Sequence, residues 1–292
     1  MDGIIVINKP KGYTSHDVVA KVKKILNIKK VGHTGTLDPN ATGVLPLLLN
    51  DGTKLSKYLI EHDKEYEVVL KLGIKTDTAD VEGNVVKEDN FKLSSITEEK
   101  ISEILKSFIG LQEQIPPMYS AIKVKGKKLY EYARSGETIE VKPRKIEIYN
   151  IELLKICANE NEISFKVECS KGTYIRSLCE DIAEKLGTLG YMKELNRTKV
   201  GKFSVGNSIS IDELENNKND IDFLQNNIIS IEDFFKENEK IQLNNKELRL
   251  YLNGVKLKFN TQDGIYNVYN NDKYIGIATV SKNELKREIV VE

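Results

Sequence analysis

Gly32-His33-Thr34-Gly35-Thr36-Leu37-Asp38-Pro39-Asn40-Ala41-Thr42-Gly43-Val44-Leu45-Pro46 holds three glycines, two prolines and three threonines and follows no sustained hydrophobic period. That composition predicts a loop over 32–46, and loops of this length inside a domain commonly carry function. Pro39 drives Asp38 toward an extended backbone and removes one amide donor, so the Asp38 carboxylate is held at a fixed angle beside Gly35 and Gly43. Asp-Pro among glycines is also a common turn, so local chemistry leaves both a plain turn and a catalytic carboxylate open.

Working outward toward the N-terminus, Gly3 to Ile7 reads as a short buried strand and Asn8-Lys9-Pro10-Lys11-Gly12 as the turn ending it. Thr14 with Asp17 three residues on resembles a helix start, and Val18, Val22, Ile25 and Leu26 follow at helical spacing. On the other side, Thr53 is placed to cap a short helix carrying Leu55, Tyr58 and Leu59. Glu65 to Leu72 alternates, putting Tyr66, Val68, Leu70 and Leu72 on one face of a strand. A helix is predicted from Thr97 through Ile101, Ile104, Leu105 and Phe108, with Gly110 as its stop. Strands are expected at Ser120 to Val124, at Arg144 to Leu154 and through Ile163, Phe165, Val167 and Cys169, then a helix through Ile175, Leu178, Cys179, Ile182 and Leu186. The acidic, asparagine-rich stretch 212–240 shows no pattern long enough for another core layer, which places a domain boundary near 236. Beyond it, short strand-like pieces around Gly254, Gly264 and Gly276 suggest a small β-barrel.

The chain has 292 residues, near the size at which one core stops growing, so one large and one small domain are expected. No apolar run approaches the roughly 18 residues of a membrane span, and the first apolar stretch is too short for a signal peptide, which points to a cytoplasmic protein. Cys157, Cys169 and Cys179 are odd in number and lack the paired spacing of a zinc site, and His16, His33 and His62 form no ligand repeat, so no metal is expected. Basic and acidic residues balance at 44 each, but unevenly along the chain. Residues 1–60 hold nine lysines against four aspartates, residues 118–146 eight cations against three anions, and residues 207–240 nine anions against three cations. Polarised charge of this kind steers a polyanion onto one face.

Taken with its flanks, the loop closely resembles the signature of the TruB-type tRNA pseudouridine synthases, Gly-His-x-Gly-x-Leu-Asp-Pro-x-Ala-x-Gly-x-Leu. The likeness runs through most of residues 3–205. It includes Asn8-Lys9-Pro10-x-Gly12, Lys64-x-Tyr66, Gly73-x-x-Thr76-Asp77-Thr78-x-Asp80-x-x-Gly83, Gln114-x-Pro116-Pro117-x-Tyr119-Ser120-Ala121 and Cys169-Ser170-Lys171-Gly172-Thr173-Tyr174-Ile175-Arg176. The resemblance implies an α+β fold: a catalytic domain over 1–236, with a mixed, largely antiparallel sheet flanked by helices, and a small PUA-like RNA-binding β-barrel over 237–292. Two departures, Tyr191 where many members have histidine and Asn196 in place of a common arginine, bear on RNA contacts more than on chemistry.

The same resemblance implies the activity: isomerisation of the T-loop uridine at position 55 of tRNA to pseudouridine, with no cofactor and no obligate protein partner. Asp38 is then the catalytic aspartate, and a carboxylate suits attack on C1′, addition to the ring or removal of a ribose proton alike. A base worked on inside a folded RNA loop must be flipped out and stacked. Tyr66 and Tyr174 match the family tyrosines beside the uracil, His33 the histidine associated with extruding it, and Leu195 an apolar residue that keeps the pocket dry. Arg176 matches the partner of the catalytic aspartate, although Glu180, four residues on, also lies in reach on a helix. The insertion at 118–146 is the expected grip on the T arm, through Lys123, Lys125, Lys127 and Lys128 interleaved with Tyr130 and Tyr132, with Lys9 as a further RNA contact. A guide-RNA-dependent pseudouridylase and a non-catalytic chaperone of the tRNA elbow are the alternatives.

Overall fold

The computed structural model describes residues 1–60 and 62–291. Its large sheet is built from strands β1 (Gly3–Lys9), β2 (Val31–His33), β3 (Thr42–Leu49), β4 (Lys64–Leu72), β5 (Gly110–Gln114), β6 (Arg144–Cys157), β7 (Glu162–Cys169) and β8 (Gly190–Val200). Helices α1 (Ser15–Ile25), α2 (Glu98–Lys106) and α3 (Ile175–Lys185) cover it. The strand order is 228–229, β1, β3, β8, β4, β7, β6, β5, with β2 added to β3 and the short strand 203–204 to β8. The only parallel ladder described within this sheet joins β8 to β3, at Asn196 with Thr42 and Arg197 with Gly43. The fold is thus the α+β arrangement of a largely antiparallel mixed sheet with flanking helices.

Each element forms for a local reason. Tyr66, Val68, Leu70 and Leu72 alternate on β4 and face Ile163, Phe165 and Val167 of β7, and α2 and α3 close over them with Ile101, Ile104, Leu105, Leu178 and Ile182. Phe165 is fully buried, so its truncation to alanine would cost about 3–5 kcal/mol. At the other end of the sheet α1 buries Val18 and Val22 against Ile5, Ile7, Leu45 and Leu47. Thr14 and Asp17 cap that helix reciprocally, as their spacing predicts.

Several expectations need correction. The loop is shorter than 32–46, because Thr42–Leu49 is strand β3. Every residue from Gly43 to Leu49 is buried, so its apolar run is a central strand with no exposed face to show an alternation. Of Ser120 to Val124, only Lys123–Val124 pairs, with Lys127–Lys128. Thr53 does not cap a helix; its hydroxyl donates to the Asn50 carbonyl (2.7 Å) within a 3-10 segment that leads into the helix Ser56–Leu59. The acidic stretch after 210 is not bare of core. It forms the short helices Ile211–Asn216, Ile221–Asn227 and Ile231–Phe234, which bury Ile211, Leu214, Leu224 and Ile231.

The C-terminal residues form a second sheet, with 240–242, 264–270, 273–281, 284–290 and 257–258 in that order. It is a curled half-barrel consistent with a PUA-like domain, not a closed barrel, because its two outermost strands do not pair with each other. Ile277 and Ile289 leave this sheet's own core and join Ile4, Val6, Val44, Leu48, Ile231 and Phe235 in one cluster, so the two sheets pack directly. Among the described residues no helix is long and apolar enough to cross a membrane.

Candidate active site

The turn 34–41, between β2 and β3, is pinned from behind by residues 9–15. The Leu37 amide donates to Ser15 Oγ (2.8 Å), and the Gly12 amide donates to the Pro39 carbonyl (2.9 Å). Lys9 lies under the turn with its side chain fully buried, and its ammonium donates to the carbonyls of Tyr13 (2.6 Å), Pro10 (3.0 Å) and Pro39 (3.0 Å). Burial lowers its pKa to about 8. Lys9 therefore braces the loop and, contrary to the sequence expectation, does not contact RNA, since a side chain without accessible surface cannot meet a phosphate. Gly43 holds the far end. Its φ is +105°, and a Cβ there would stand 2.2 Å from the Arg197 carbonyl, so only glycine lets β3 approach β8 this closely.

So held, Asp38 points its carboxylate at Arg176, with Nε to Oδ2 at 3.3 Å. Arg176 lies in the first turn of α3, is nearly buried, and spreads its other donors inward. Nη1 faces Asp80 Oδ2 (3.6 Å) and the Thr78 carbonyl (3.4 Å), and Nη2 donates to the Tyr119 carbonyl (2.9 Å). One guanidinium thereby ties together the 34–41 turn, the loop after β4 and the root of the 118–146 insertion. Glu180 is not its partner, since Glu180 pairs with Lys75 at 3.0 Å. Burial raises the pKa of Asp38; Arg176 pulls it down, Asp80 adds to the rise and Lys9 opposes it, with a net upward displacement.

Asp38 and Arg176 form the charged floor of a cleft of about 440 Å³, walled by Tyr66, Tyr119, Tyr130, Tyr174, Met192 and Leu195. Tyr66 projects from β4 because its parity matches Val68 and Leu70. Burial pushes its phenol up to about 12, against the pull of Arg197. Tyr174 is set by a two-point clamp: its amide donates to Gln114 Oε1 (2.8 Å), and Gln114 Nε2 donates to its carbonyl (3.0 Å). Leu195 comes from β8, opposite Val68. Flat aromatic faces, apolar ends and one carboxylate paired with one guanidinium suit a planar, polar ring brought in beside a sugar.

The structure thus brings Asp38, Arg176, Tyr66, Tyr174 and Leu195 to one cleft. His33 does not line it. It sits on β2 opposite Leu47, its Nδ1 is enclosed without a hydrogen-bond partner, and burial lowers its pKa, with further lowering from Arg197 and His16. Lys123, Lys125, Lys127 and Lys128 also stand away from the cleft floor, on the 123–128 hairpin. Lys127 and Lys128 lie over the rings of Tyr132 and Tyr130 at 5.5 and 5.3 Å, and Tyr130 reaches the cleft wall. Two residues of the quoted motifs, Asp80 and Gln114, acquire roles that sequence reading did not assign. A third, Arg197, was missed altogether, although an arginine in step with Leu195 on an alternating strand is a readable signal.

Two family models match residues 23–236: the N-terminal domain of the TruB family pseudouridylate synthases over 23–175, and the tRNA pseudouridylate synthase B C-terminal domain over 176–236. The chain is 48% identical over 292 residues to the tRNA pseudouridine synthase B of Clostridium tetani, covering 98% of both chains. It is 41% identical over 289 residues to that of Caldanaerobacter subterraneus subsp. tengcongensis, again covering 98% of both. Among solved structures it is similar to an H/ACA RNP bound to a substrate RNA containing 2′-deoxyuridine, at 25% identity and a TM-score of 0.68 over 99% of this chain and 84% of the other. These matches span the turn that presents Asp38, the strand that carries Tyr66 and the helix that carries Arg176, and the chain belongs to the TruB family of pseudouridylate synthases.

Proposed function

We propose that this protein isomerises a uridine of tRNA to pseudouridine, and that its target is the T-loop uridine at position 55. The observation that carries the reading is the Asp38 carboxylate paired with Arg176 on the floor of an aromatic-walled cleft. In the reaction the N1–C1′ bond breaks, uracil turns, and a C5–C1′ bond forms while C5 loses its proton and N1 gains one. Nothing is oxidised and no group enters or leaves, so side chains suffice without a cofactor. Asp38 is the catalytic residue, Arg176 keeps its carboxylate oriented, and Tyr66 stacks on the flipped ring with Tyr174 and Leu195 excluding water. His33, half-buried at the end of β2 immediately before the turn, is the residue assigned to base extrusion.

The 118–146 insertion is the T-arm grip in this reading, its lysines neutralising phosphates and its tyrosines supplying stacking surfaces. Residues 237–292 form a separate RNA-binding unit beside a catalytic unit of 1–236. A grip on the tRNA elbow also suits a role in tRNA folding. The cytoplasm, where tRNA is matured, is the corresponding location. The test uses purified protein with an unmodified tRNA transcript, no guide RNA and no added protein, followed by chemical mapping of pseudouridine. Modification at position 55 is expected, and its loss in Asp38→Ala. An inactive wild type refutes the stand-alone reading, and a fully active Asp38→Ala refutes the assignment of Asp38.

A further inference from the structure

Arg197 is 2% exposed, and among the described residues its guanidinium donates to backbone carbonyls and pairs with no carboxylate. Nε donates to the Val44 carbonyl (2.8 Å) and Nη2 donates to the Gly35 carbonyl (3.1 Å), and the guanidinium lies beside the side chain of Tyr66, its register partner on β4. The sheet accounts for this reach. β8 lies between β3 and β4, and at one position along it Arg197 stands opposite Tyr66 on one side and Gly43 on the other. An unpaired buried cation costs several kcal/mol of desolvation, and a well-packed apolar side chain would serve stability as well or better. A planar fork of donors held in fixed directions suits partners on two different strands, Tyr66 on one side and the Gly35 carbonyl on the other, better than an ammonium on a flexible stem.

We propose that Arg197 is a positioning residue for the isomerisation: it ties the hydroxyl of Tyr66 to the Gly35 carbonyl at the base of the Asp38 turn, fixing the stacking ring relative to the carboxylate. The proposal rests on the reading of the cleft as the pseudouridylation site. Arg197 has almost no accessible surface, so it acts through these two neighbours and not by touching RNA.

The experiment compares wild type, Arg197→Lys, Tyr66→Phe and the double variant, using full-length protein and a tRNA transcript tritiated at uracil C5, whose label is released on turnover. Arg197→Lys is expected to slow single-turnover release by about 30-fold while RNA affinity stays within about threefold. In the Tyr66→Phe background the same substitution should cost less than about a third as much, because the tie is already cut. Rate losses that multiply independently, or a loss carried by affinity, overturn the proposal. A second measurement does not depend on activity or on the Arg197 variant folding. Amide hydrogen exchange at residues 34–38 should be at least about threefold faster in Tyr66→Phe than in wild type, and unchanged exchange there overturns the proposal even if no pseudouridine is formed by any variant.

Discussion

Replacing Arg176 with glutamine removes the cation from the cleft floor and leaves a shorter, neutral hydrogen-bonding side chain. At 3.3 Å, two unit charges attract by about 1.3 kcal/mol in a water-like medium and about 5 kcal/mol at an effective dielectric of about 20. The Asp38 side chain is 36% exposed, so solvent screens much of this and the lower part of the range applies, about 1.5–3 kcal/mol. The loss has a sign. Arg176 is the largest influence holding the Asp38 carboxyl down, whereas burial and Asp80 push it up, so in the variant the carboxylate protonates at higher pH. Activity that requires the ionised carboxylate is lost as pH falls through this displaced value. The acid limb of the single-turnover rate profile, followed by tritium release from C5-labelled tRNA, should therefore move upward by about one pH unit or more. Urea unfolding, run in parallel, separates this from collapse of the site, because Asp80 also loses its partner. A folded variant whose acid limb coincides with that of wild type, or lies below it, refutes the electrostatic reasoning even if its rate at neutral pH is low.

Lys125→Ala with Lys127→Ala should weaken T-arm binding and flatten its dependence on salt, lowering the log–log slope by about 1.4–1.8 for two lost phosphate contacts; an unchanged slope removes the hairpin from the RNA interface. Gly43→Ala forces a side chain into a +105° φ and against the Arg197 carbonyl, so its thermal midpoint should fall by an amount equal to about 2 kcal/mol or more, and a melt matching wild type contradicts the close approach of β3 and β8. Lys9 has a folded pKa near 8, below its ordinary 10.5, so the unfolded chain holds more protons between those values and stability from this group rises with pH, complete above about 10.5 and lost below about 8. Urea midpoints of wild type relative to Lys9→Met should accordingly improve from pH 7.5 to pH 10, and a constant difference would show that Lys9 is not desolvated.

The parts of this protein legible from sequence are those whose physics is local. The alternation at Tyr66, Val68, Leu70 and Leu72 predicts β4, the Thr14–Asp17 spacing predicts a capped α1, and the run at 32–39 with its flanking motifs points to Asp38, Tyr66, Tyr174 and Arg176 together. Tertiary structure decided what depends on distant partners. Lys9 reads as a surface cation until the Pro39 carbonyl, thirty residues away, is folded over it. β3 reads as loop because a strand buried on both faces has no alternation to display. The short helices after 210 read as a stretch with no further core layer because each buries only one or two side chains, against elements far away in the chain. Arg197 shares the inward parity of Leu195, which marks it as buried, but what it holds is not legible locally, since its partner at Gly35 lies 162 residues away and is brought beside it by the parallel join of β8 to β3. The period of a segment reports which of its side chains turn inward. Which strands become neighbours is set by the order of the whole sheet, and that order places the Asp38 carboxylate, the Arg176 guanidinium and the Tyr66 ring in one cleft.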